Sequence, residues 1–102
     1  MSTLTEQLTK VAGRYDEINR LMAEPDVLAD YERLNELAQE RSELDELVTA
    51  FRRYQEVQKQ IAGNRELIEE DADSELAELA ELELDELLSE EEELEERLKL
   101  LL

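Results

Sequence analysis

Residues 31–44 read Tyr31-Glu32-Arg33-Leu34-Asn35-Glu36-Leu37-Ala38-Gln39-Glu40-Arg41-Ser42-Glu43-Leu44, and the same texture continues to about Glu70 without a proline. Apolar residues recur at Leu34, Leu37, Leu44, Leu47, Phe51, Tyr54, Val57, Ile61 and Ile68. Most of these steps are three or four residues, so the side chains line one face of a helix that turns once every ~3.6 residues. A helix over about 31–70 is ~60 Å long, more than a small globular core can cover. Other helices must lie along it.

Toward the N-terminus, Leu4, Leu8, Val11, Tyr15, Ile18 and Met22 form a heptad seam that presents a narrow stripe to a partner helix. Thr3 and Glu6 have the spacing of a capping box, which opens a helix over about 3–24. Pro25 disfavours helical geometry at Glu24 and ends that helix. Gly13 inside it costs about 1 kcal/mol relative to Ala, which a close helix contact would offset. Residues 25–30 read as a connection, with Val27 and Leu28 packed under the next helix and Asp30 as its N-cap. Gly63-Asn64 is the weak point of the central helix.

Toward the C-terminus, Glu69 to Ser74 reads as a second connection, and Asp73 or Ser74 caps a helix over about 74–101. Positions 77, 80, 84, 87, 91, 94, 98 and 101 step by three and four, and only Glu91 breaks the apolar register. A short connection makes the two long helices antiparallel neighbours. Folding the chain about residues 71 and 72 brings Glu90 to Glu93 to Arg52 and Arg53, with Glu91 opposite Arg52. Exposed pairs of this kind set register more than stability. The fold class expected is all-α: two long antiparallel helices in a coiled-coil-like hairpin plus a shorter N-terminal helix, one domain over residues 1–102.

Composition narrows the function. The chain has 102 residues, 41% hydrophobic and 40% charged, with no Cys and no His, so disulfides, thiol chemistry, ordinary structural zinc sites and the usual neutral-pH base are excluded. The net charge of −19 is uneven: residues 1–65 hold 9 basic and 13 acidic groups, and residues 66–102 hold 2 and 17. The acidic third repels nucleic-acid phosphates and attracts basic proteins. Apolar runs fall well short of the ~20 residues that cross a bilayer, and the N-terminus lacks the order of a secretory signal, so a cytoplasmic location is expected. Carboxylates on a solvated helix face stay ionised and do no acid–base work. Glu69 to Asp73 lacks the glycine turn and ligand spacing of a calcium loop, and Gly13 and Gly63 are too isolated to cradle a phosphate. No catalytic, cofactor-binding or metal-ligating residue is expected. The scattered arginines and lysines pair with nearby acids, Tyr15 and Tyr54 belong to the core, and Tyr31 is unassigned.

The order Arg14-Tyr15-Asp16-Glu17-Ile18-Asn19-Arg20-Leu21-Met22, then Glu24-Pro25-Asp26-Val27, then Gln39-Glu40-Arg41-Ser42-Glu43-Leu44, resembles the N-terminal domain of bacterial class I peptide chain release factors. Glu66-Leu67-Ile68 before an acidic turn, and the ending Leu98-Lys99-Leu100-Leu101-Leu102, continue the likeness, the ending in the manner of the release factor one type, which reads UAA and UAG. The resemblance implies a helical first domain of a longer chain, docking the factor near the stalk base of the large ribosomal subunit against basic ribosomal proteins, without direct nucleic-acid or membrane binding. The family's Gly-Gly-Gln tripeptide and stop-codon tripeptide lie in later domains and have no counterpart here, so no catalytic residue carries over and an enzyme is not expected. A leucine seam left uncovered at Leu98 to Leu102 would favour self-association. The rival reading is a freestanding acidic coiled-coil adaptor or scaffold.

Overall fold

The computed structural model describes residues 3–102. It is all-α, with no strand among the described residues. In chain order the elements are α1 (Thr3–Leu21), α2 (Pro25–Leu28), α3 (Tyr31–Glu70) and α4 (Glu75–Leu101). Contacts group the chain into two compact units, Met1–Thr49 and Ala50–Leu102, and α3 contributes to each.

In the first unit α1 buries Leu8, Tyr15 and Ile18, all members of its heptad seam. Leu37, Leu47 and Val48 are the buried residues of α3 in this unit. The capping box read at Thr3 and Glu6 concerns the start of α1, ahead of which the chain lies outside the described residues. The helix ends at Leu21 rather than near residue 24. Pro25 holds Glu24 in extended geometry, φ −74° and ψ 136°, and the chain tightens beforehand, with Ala23 N–H bonding Arg20 O and Glu24 N–H bonding Leu21 O. Gly13 has no close helix contact to offset its cost, since an added Cβ there would meet nothing within 4 Å.

Residues 25–28, read from sequence as plain connection, form the short helix α2 with Pro25 at its first position, where the missing N–H costs nothing. Val27 is half-buried, but Leu28 is 56% exposed and does not pack as expected. Asp30 does cap α3: its carboxylate accepts the Arg33 backbone N–H at 3.2 Å.

In the second unit α3 and α4 pack against each other. Arg53 pairs with Glu90 and Asn64 with Glu83, so positions rise along one helix as they fall along the other, which makes the pair antiparallel. Val57, Ile61 and Leu87 form a buried cluster, with Leu84, Leu88 and Leu94 packed against it. The α4 seam is buried at Ala77, Ala80, Leu87 and Leu98 and half-buried at Leu84, Glu91, Leu94 and Leu101. Glu91 thus occupies the seam position that breaks the apolar register. At the turn, the Ser74 hydroxyl donates to Asp71 O at 2.9 Å and accepts the Ala77 N–H at 3.0 Å, capping α4. The helix α3 runs unbroken through Gly63-Asn64, and the Asn64 side chain donates to Glu83 of α4 at 2.8 Å.

Candidate docking surface

Among the described residues no buried side-chain polar atom lacks a hydrogen bond, and no buried residue is polar or charged. Polar function therefore resides on the surface, and its layout differs along the chain.

Around α1 the polar side chains are held in pairs. Arg14 donates to both carboxylate oxygens of Glu40 at 2.7 Å each and to Glu17 at 2.7 Å. The hydrogen bond to Arg14 holds the Glu40 carboxyl below the usual range, and the same contacts raise the already high Arg14 value. The Tyr15 hydroxyl donates to Asp45 at 2.6 Å, while the Arg41 guanidinium lies 5.4 Å from the centre of the Tyr15 ring and donates to Asn19 at 2.5 Å. Cation–π contact, hydrogen bond and ion pair together tie one face of α1 to residues 40–45.

Along α4 the Arg53 guanidinium does similar work. Arg53 donates to Glu90 through two nitrogens at 2.6 and 2.7 Å, which lowers the Glu90 carboxyl and raises the guanidinium. The sequence places Glu90 to Glu93 against Arg52 and Arg53, and the Arg53–Glu90 pair lies within that window. Gln58 reaches Glu91 at 3.5 Å. Tyr54 is half-buried, and its phenol is pushed up by burial first and by the charges of Glu95 and Glu91 second.

From Glu66 to Glu96 the chain carries 17 acidic and no basic residues. Among the described residues no group of acids is arranged to hold a metal ion. An open groove of about 550 Å³ beside Glu90, Glu93, Leu94, Glu96, Arg97 and Leu100 is lined by α4 alone and does not enclose a small molecule. The acidic stretch also displays leucine. Leu76, Leu79 and Leu82 are 64%, 63% and 67% exposed, off the seam that α4 buries. Residues three apart are surface neighbours on a helix, so these three make a continuous ridge, bordered by Glu75 and Glu78 on one side and Glu83 and Glu86 on the other. Tyr31, unassigned from sequence, is 76% exposed at the start of α3. Leu76, Leu79 and Leu82 stand outside the apolar series that steps by three and four along α4, through 77, 80, 84 and 87, so the signal was available in the sequence.

The PCRF domain matches residues 11–102. The chain belongs to this family. The PCRF match takes in Arg14 to Met22 and the Glu24-Pro25-Asp26-Val27 connection, the residues that carry the resemblance to release factors. Curated relatives named peptide chain release factor 1 are similar along nearly all of the chain. The protein from Brevibacillus brevis is 44% identical over 94% of it, and that from Listeria welshimeri 46% over 95%. The protein from Lactobacillus delbrueckii subsp. bulgaricus is 38% identical over the whole chain. The chain spans only 27–28% of the length of these relatives. No solved structure matches it. Among the described residues no helix is long and apolar enough to cross a membrane.

Proposed function

We propose that this PCRF domain serves translation termination in the cytoplasm as the docking part of a release factor, placing the factor at the ribosomal factor-binding centre. The match over residues 11–102, together with relatives named peptide chain release factor 1, carries the reading. In it, stop-codon reading and peptidyl-tRNA hydrolysis belong to other parts of the factor, and these 102 residues perform no bond chemistry. Their glycines, Gly13 and Gly63, stand apart, so no Gly-Gly-Gln tripeptide lies among them. The acidic stretch from Glu66 to Glu96 suits basic ribosomal proteins near the stalk base and disfavours ribosomal RNA.

Sedimentation of the 102-residue chain with ribosomes tests this. The expected result is cosedimentation that a full-length release factor 1 displaces and that weakens as salt rises. Binding that full-length factor leaves untouched, or none at low salt, overturns it.

A further inference from the structure

We propose that the ridge Leu76–Leu79–Leu82 of α4, with its acidic borders, docks a basic amphipathic helix of a partner protein. The inference rests on the docking role proposed above for its setting, and adds the surface and the chemistry of what it receives.

Three adjacent leucines about two-thirds exposed on one helix are unusual where the same helix buries Ala77, Ala80 and Leu87 on its seam. An acidic helix kept soluble by charge needs no leucine there, whereas a ridge along the i, i+3 row fits the groove of a second helix. The borders decide which helix. Glu75, Glu78, Glu83 and Glu86 flank the ridge, and no basic residue occurs between Arg65 and Arg97. A second copy of this chain would set the same carboxylates against themselves. Nucleic acid and the anionic face of a membrane meet the same repulsion. An apolar stripe edged with lysine or arginine satisfies both parts of the surface: the leucines bury against it, and the carboxylates pair at the rim, where they steer association and fix orientation.

The test needs no ribosome, so its failure is separable from failure of the termination reading. Two fluorescent helical peptides of equal positive charge serve as probes, one with leucines at i, i+3, i+4 and i+7 and one with glutamines in their place. The 102-residue chain is expected to bind the leucine peptide about tenfold or more tightly at physiological salt. The L76A/L79A/L82A variant should lose that preference while binding the glutamine peptide unchanged. Its circular dichroism should remain helical, because the three leucines are exposed and alanine favours the helix. Amide shifts on binding should centre on residues 75–86. Equal affinity for the two peptides, a preference that survives the triple variant, shifts centred elsewhere, or self-association abolished by the triple variant would each overturn the assignment.

Discussion

The two compact units share one long helix and solve the same packing problem with different surfaces. Met1–Thr49 ties α1 to α3 through specific polar contacts: a two-pronged Arg14–Glu40 pair, a Tyr15–Asp45 hydrogen bond and Arg41 over the Tyr15 ring. Ala50–Leu102 has the two-pronged Arg53–Glu90 pair and amide contacts from Gln58 and Asn64, set in a surface of like charge. Its antiparallel helices are held by the apolar seam around Val57, Ile61 and Leu87. Polar contacts of defined geometry add register and a little stability to the first unit. The second combines the Arg53–Glu90 pair with its leucine seam and carries a surplus of like charge, which leaves its outer face with charge and apolar area to present to a partner.

The largest effects should come from the seams, and should be alike in the two units. Ile18 is fully buried and Leu87 is 5% exposed, so Ile18→Ala and Leu87→Ala are each expected to cost ~2–5 kcal/mol in urea unfolding. A cost below 1 kcal/mol at either site would break the equivalence of the two cores. Tyr15→Phe removes a hydrogen bond to a carboxylate and should cost ~1.5 kcal/mol in the same measurement. A cost near zero would mean that the Tyr15–Asp45 contact adds nothing to the first unit. Gly13→Ala and Gly63→Ala meet open space inside regular helix, and each is expected to stabilise by ~0.5–1 kcal/mol in thermal melts.

Electrostatic effects should be the smallest and should differ in sign between the units. Added sodium chloride screens the acidic stretch, so amide protection of residues 66–96 should rise with salt while that of α1, held by opposite charges, should not. Acid acts on the clamps in a defined direction. The Glu90 carboxyl lies below its usual range because Arg53 donates to it, so the clamp contributes fully above the ordinary carboxylate pKa and is lost as pH falls through the lowered value. The stability difference between the native chain and E90Q should therefore vanish in strong acid. A difference that persists there would assign the effect of E90Q to something other than the ion pair.

Much of the fold is legible in the sequence because a heptad seam needs only local spacing. The α1 stripe of Leu8, Tyr15 and Ile18 and the α4 stripe of Ala77, Ala80, Leu87 and Leu98 are buried where three-and-four steps place them. Asp30 and Ser74 cap their helices because capping depends on a side chain two or three residues from the N–H it accepts. Local reasoning did less well where tertiary surroundings decide. Val48 and Ala50 are buried off the single seam of α3, Leu28 is exposed although apolar, and Gly13 has no neighbour to justify it.

The docking surface shows the same division. By itself the sequence determined that the last third is acidic, free of His and Cys and without a motif for bond chemistry, since these follow from residue types and their order. Composition cannot separate Leu87 from Leu82, because both are leucines in an acidic helix, but the three-and-four register already sets Leu87 apart. Only the tertiary structure decided what covers the inward face and how far each outward leucine is exposed. Packing against α3 selects one face of α4, buries Leu87 and leaves Leu76, Leu79 and Leu82 in water, where apolar surface is most costly to maintain and most useful to a partner.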